Sequence, residues 1–260
     1  MLLKGKVALV TGGGQGIGRA IALAFAEQGA RVAIASRSRE RLAAAARELG
    51  AAGAEALALP ADVTQRHQVE SAIGELTRCW GRLDILVNNA GASGMTPLNG
   101  GAEVDQLWHQ ILATNLTGMY YVTRAALPRM PDHANGRIIN ISSVLGKFGV
   151  AGYAAYCTSK HGMIGFTRAL APELAPRGIT ANAICPGWVD TEMARKGMAE
   201  VSAALKVSPE ELRRQAMEQV PLKRMVEGTE VAALATYLAS EASAAMTGQA
   251  INICGGATTA

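Results

Sequence analysis

The chain has 260 residues, of which 49% are hydrophobic and 18% charged. That is enough to bury one large core, and it excludes disorder, collagen-like repeats and coiled coil. Twenty-five basic and 21 acidic residues leave a formal charge of +4 without any like-charge block, and aromatics are only 4%, which argues against a nucleic-acid partner.

Cys79, Cys157, Cys185 and Cys254 lie far apart, as do His67, His109, His133 and His161. Such spacing builds neither a disulfide framework nor a metal site, so reduced thiols in the cytoplasm are expected. The first apolar run, Val7–Val10, is too short for a signal-peptide core. Uncharged stretches such as 242–260 are broken by Gly, Thr, Ser and Asn, and no membrane span is expected.

Taken in order, short apolar runs predict strands at Val7–Val10, Val32–Ala35, Ala56–Leu59, Leu83–Val87, Ile138–Ile141, Ile179–Ile184 and Ala250–Ile253. Helical periods stand between them, for example Ile17, Ile21, Ala24 and Phe25, then Val69, Ala72, Ile73, Leu76 and Trp80. Alternating strands and helices imply right-handed crossovers and a parallel sheet covered on both faces. One doubly wound α/β domain, residues 1–260, with a seven-stranded parallel sheet accounts for nearly all of the chain. Pro172 is expected to kink or end a helix over Ala155–Ala175.

The exception is 190–225, a charged excursion with Met193, Met198, Met217 and Met225. Its helix start, Ser208-Pro209-Glu210-Glu211, combines an N-cap, a first-turn proline and early acids. Two readings stay open: a packing or oligomer element, or a helical lid over a substrate pocket, for which methionine's adaptability is suited.

Thr11-Gly12-Gly13-Gly14-Gln15-Gly16-Ile17-Gly18 follows the first strand and opens the first helix. Glycines permit a tight turn and close ligand approach, and a helix N-terminus offers free N–H groups to a pyrophosphate. In that position the loop predicts dinucleotide binding on a Rossmann-type sheet, through Gly12, Gly14, Gln15, Gly16, Ile17 and Gly18. At the end of the second strand an acid would favour NAD. The chain instead reads Ala35-Ser36-Arg37-Ser38-Arg39. Arg37 and the flanking hydroxyls of Ser36 and Ser38 suit a 2′-phosphate, so NADP(H) is favoured and NAD(H) stays open. Arg39 and Arg41 read as the solvated face of the next helix.

Tyr156 and Lys160 stand four apart, on one helix face. Ser143 follows the fifth strand. A phenol with a pKa near ~10 is a poor acid or base unless a cation stabilises its anion, and Lys160 is placed to supply one.

Thr11–Gly18, Asn88-Asn89-Ala90-Gly91, Asn115, Ser143, Tyr156, Lys160 and Pro186-Gly187 together resemble the short-chain dehydrogenase/reductase family, from Gly5 to about Gly256. Gly136–Ser143, Cys185–Val189 and Cys254–Gly256 look most like its β-ketoacyl and polyketide ketoreductases. The resemblance implies that Tyr156 is general acid in reduction and general base in oxidation. Lys160 would lower the Tyr156 pKa and hold the nicotinamide ribose, Ser143 would bond the substrate oxygen, and Asn115 would anchor a water behind Lys160. Ser142 is the rival of Ser143, which the family spacing favours. Tyr153 reads as pocket lining. Asp62 and Val63 would lie near adenine. Asn89, Ala90, Gly91, Pro186, Gly187, Val189 and Thr191 would follow the cofactor.

Gln15 stands where NADP-using members often carry a basic residue. The function so implied is hydride transfer between NADP(H) and a small-molecule or carrier-bound carbonyl, as a homo-oligomer, dimer or tetramer. Alternatives are an NAD(H)-dependent dehydrogenase of small or cyclic secondary alcohols, a non-catalytic dinucleotide-binding regulator, and a structural scaffold. The last two would have no need of Ser143, Tyr156 and Lys160. Arg129, Arg168, Lys196 and Lys206 would meet an acidic carrier protein or be ordinary solvated charge.

Overall fold

A computed structural model describes residues 1–132 and 136–260; of the scattered histidines, His133 lies outside them. All seven expected strands form, as β1 Val7–Thr11, β2 Arg31–Ser36, β3 Ala56–Pro60, β4 Ile85–Asn88, β5 Arg137–Ile141, β6 Thr180–Pro186 and β7 Ala250–Ile253. They make one parallel sheet in the order β3-β2-β1-β4-β5-β6-β7. After β3 the chain crosses to the other side of β1. This reversal opens a crevice at the carboxyl ends of β1 and β4, where open α/β sheets bind ligands.

Strand alternation feeds two cores. Ala8, Val10, Val32, Ile34 and Ile139 face one side, packed with Ile21 and Phe25 of α1 (Gly16–Glu27), Leu42 of α2 (Arg39–Ala51) and Val231 of the last helix. Val7, Leu9, Ala33, Leu86 and Ile138 face the other, against Ile73 and Leu76 of α3 (Arg66–Trp80) and Leu170 and Leu174 near the end of a long helix over Ala154–Leu174. Both faces of the inner strands β1, β2, β4, β5 and β6 are thereby removed from water, which is why their runs are apolar without polar alternation, while the edge strands β3 and β7 stay partly exposed.

Two helices, α4 (Ala102–Leu112) and α5 (Met119–Ala126), are joined by a π-helical turn over Ala113–Gly118 that holds Asn115. The sequence gives no periodic signal for this turn, and wider π turns often sit at functional sites. The long helix, α6, ends within two residues of Pro172 and passes into a tight turn, Ala175–Arg177. Between β6 and β7 come α7 (Glu192–Leu205), α8 (Pro209–Glu218) and α9 (Gly228–Ala239). The start of α8 forms as its sequence predicts, with the Ser208 hydroxyl accepting from the Glu211 N–H. Among the described residues no helix is long and apolar enough to cross a membrane.

Candidate active site

The cleft at the switch point has a volume of about 490 Å³, within the range of small-molecule and cofactor sites. Its walls come from the β1–α1 loop, the ends of β2 to β5, the start of α6 and the first turn of α7. Gly12 takes φ +67° at the turn out of β1, a conformation that L side chains rarely adopt. Gly18 is demanded by packing instead: a side-chain carbon there would stand 2.4 Å from both Asn89 Nδ2 and the Gly12 carbonyl. Asn89 Nδ2 donates to the Thr11 carbonyl at 2.9 Å. The Thr11 hydroxyl accepts from the N–H groups of Asn89 and Ala90 and donates to the Val87 carbonyl. These bonds fix the loop to the end of β4.

The group implied by this architecture is a nicotinamide dinucleotide, and the walls fit one. Gln15 is the N-cap of α1, yet its side chain caps nothing. First-turn N–H groups of α1 therefore remain for an anion, in line with the helix dipole. Gly12, Gly14, Gln15, Gly16, Ile17, Arg37, Ser38, Asp62, Val63, Asn89, Ala90, Gly91 and Thr191 all line the cleft, together with Tyr156 and Lys160. Gly18, Pro186, Gly187 and Val189 do not. Gly18 packs behind the loop, Gly187 closes against Cys254, and Val189 is buried in a bridge to Val226. Asp62 Oδ1 accepts from the N–H and hydroxyl of Thr64, which fixes this part of the wall.

At the inner end α6 presents Tyr156 and Lys160. The Lys160 ammonium is buried, donates to the Ile141 carbonyl at 2.8 Å, and lies 5.5 Å from the centroid of the Tyr156 ring. Burial pulls its pKa down to about 8. Burial also dominates at Tyr156 and pushes the phenol up to about 12, against the opposing pull of a hydrogen bond with Ser143. Desolvation of the tyrosinate is the controlling influence on this phenol.

The two serines separate by partner. Ser142 reaches the cleft wall, but its hydroxyl donates to the Lys160 carbonyl at 3.0 Å and holds α6 to β5. Ser143 is buried beside Tyr156, where it draws the phenol's pKa down, and accepts from the Leu145 N–H. Asn115, fully buried in the π turn, accepts from the Ala92 N–H and donates to the Ala92 carbonyl and to Ser159. Its side chain therefore joins the loop after β4 to α6. Tyr153 turns from the cleft toward α7: burial and nearby Glu200 raise its pKa, and Gly197 lies beside its hydroxyl. Arg129, Arg168, Lys196 and Lys206 are all exposed, the last two on α7 and at its C-cap.

Several wall residues carry no sequence signal. Ala92, Thr114 and Glu192 line the cleft only because distant segments converge. Arg41 corrects the reading of a purely solvated helix face: it is exposed, yet it lines the cleft and pairs with Glu192 of α7 at 3.2 Å.

A glycine-rich loop at a sheet's switch point, with a tyrosine and a lysine on one helix turn beside it, defines an NAD(P)-dependent oxidoreductase of the Rossmann class. The chain belongs to the short-chain dehydrogenase family, whose description as a short chain dehydrogenase it matches over residues 6–202. It is 43% identical over 256 residues to a protein of Streptomyces coelicolor named "Putative ketoacyl reductase", covering 96% of each chain. It is 38% identical to the 3-oxoacyl-[acyl-carrier-protein] reductase of Thermotoga maritima, covering 98% of this chain and 99% of that one. Among solved structures, a variant of actinorhodin polyketide ketoreductase with NADPH superposes at a TM-score of 0.92 with 41% identity, covering 98% of both chains. NAD⁺-bound xylitol dehydrogenase also reaches 0.92, with 32% identity and coverage of 98% and 100%.

Proposed function

We propose that this enzyme is an NADP(H)-dependent ketoreductase that interconverts a β-ketoacyl or related ketone and a secondary alcohol, with Tyr156 as acid and base. The observation that carries the reading is the Tyr156 phenol beside Ser143, with the Lys160 ammonium 5.5 Å from its ring centroid, at the inner end of the dinucleotide cleft. When bound, the nicotinamide supplies the hydride. Ser143 and Tyr156 orient the carbonyl oxygen, and Tyr156 hands it a proton as negative charge develops there. Its high pKa keeps the phenol protonated at neutral pH, the state that reduction needs. Lys160 stabilises the tyrosinate left behind, and Asn115 fixes the loop and helix that carry these groups. Arg37 on the cleft rim supports NADP(H), as does likeness to the ketoreductase solved with NADPH.

A second reading, NAD(H)-dependent oxidation of a secondary alcohol, is favoured by two observations. Gln15 leaves the glycine loop without a cation, and the carboxylate of Glu192 lies in the cleft. In both readings 190–225 is a substrate lid, supported by Thr191 and Met193 on the cleft wall. The relatives named as acyl-carrier-protein reductases support a carrier-bound substrate, and a dimer or tetramer belongs to the same proposal. The deciding experiment is kcat/KM for a panel of β-ketoacyl thioesters and simple ketones with NADPH and NADH side by side. A preference for NADPH on β-ketoacyl thioesters is expected. Preference for NADH, with secondary alcohols as the better substrates, would replace the first reading with the second.

A further inference from the structure

Arg41 stands in the first turn of α2, where a cation opposes the helix dipole. Helix stability therefore does not explain it. Its Cβ lies 3.2 Å from where a side-chain carbon on Gly14 would sit, so the arginine is pressed against the phosphate loop. It shares the cleft rim with Arg37 and Ser38, and its guanidinium is held across the mouth by Glu192 of α7 at 3.2 Å. Both side chains of that pair are about half exposed or more, so it is weakly held and exchangeable. Arg37 makes no ion pair among the described residues.

We infer that Arg41 is a second specificity-determining residue for the cofactor's 2′-phosphate, and that Glu192 competes with that phosphate for its guanidinium. The inference rests on the NADP(H) reading above. A phosphate dianion entering between Arg37 and Arg41 accepts charge-assisted hydrogen bonds from both and displaces the weaker carboxylate. A ribose with free hydroxyls offers Arg41 no anion, so the pair with Glu192 stays closed. One arginine thereby reports on the cofactor to the first turn of α7.

The test is calorimetric binding of adenosine 2′,5′-bisphosphate and of 5′-AMP, which differ only in the 2′-phosphate. In the parent protein the bisphosphate is expected to bind more tightly. Arg41→Gln should weaken it by about 10-fold or more while leaving 5′-AMP nearly unchanged. Glu192→Gln should strengthen it by about 2- to 5-fold, because the competitor is removed. Opposite signs are the signature of competition. If both variants shift bisphosphate binding in the same direction, the pair is only a tether for α7 and the inference is wrong. If Arg37→Gln abolishes the preference and Arg41→Gln leaves it intact, the inference fails while the NADP(H) reading stands. Equal binding of the two nucleotides by the parent would overturn the NADP(H) reading itself.

Discussion

α6 and the first turn of α7 meet the same cleft, but α6 and the α7–α8 pair are built on opposite terms. α6 buries Ala155, Cys157, Ser159, Lys160, Met163, Ile164 and Thr167 within four turns. Asn140 ties it to the sheet, donating to Thr167 at 2.8 Å and accepting from Asn88 at 2.9 Å. α8 buries no residue at all, and α7 buries only Met198 and Ser202. The ion pairs of α8 run within the helix, from Arg214 to Glu211 and Glu218. The groups that need fixed geometry thus stand on a helix anchored by the core, while the rim is left to a segment with few anchors. Such division suits an enzyme whose chemistry is constant and whose ligands must enter and leave.

The largest break in this contrast is Tyr156→Phe. It removes the proton donor and nearly preserves shape, so turnover should fall by about 100-fold or more. The thermal midpoint and dinucleotide binding should stay close to the parent. Near-parental turnover in the folded variant would remove Tyr156 from the chemistry.

A pH profile sharpens the same region. Lys160 carries its proton below about pH 8, and Tyr156 keeps its own up to about 12. Reduction, read as kcat/KM, should therefore be level below pH 8 and fall above it as the ammonium is lost. The fall should approach tenfold per pH unit if the charge is essential. A profile that stays level to pH 10 would show that Lys160 acts without its charge.

Asn140→Ala removes one of the ties between the sheet and α6 and leaves Asn88 and Thr167 each one partner short. A loss of about 1–3 kcal/mol is expected in denaturant unfolding. Arg214→Ala, by contrast, touches only exposed pairs on α8 and should cost at most about 0.5–1 kcal/mol. Similar losses in the two variants would erase the distinction between anchored floor and loose rim. The smallest effect to look for is local: dinucleotide should slow proteolysis within 190–225 if that segment closes over the cleft. Equal cleavage with and without ligand would return it to a packing or oligomer role.

By itself the sequence determines the seven strands, their parallel arrangement, the phosphate loop and the Tyr156–Lys160 pair. Each of these is a local matter. Strands buried on both faces need unbroken apolar runs such as Val7–Val10, a pyrophosphate turn needs glycines at fixed offsets, and residues four apart share a helix face. The N-cap at Ser208 was legible for the same reason. Tertiary structure decides what occupies Ser142, the rival of Ser143, because its hydroxyl is claimed by the Lys160 carbonyl. It also decides that burial pushes the Tyr156 pKa up, because desolvation is a property of the assembled site. The π turn at Asn115 and the pairing of Arg41 with Glu192, 151 residues apart, leave no periodic trace. They arise from segments that become neighbours only when the sheet reverses direction at β1 and β4.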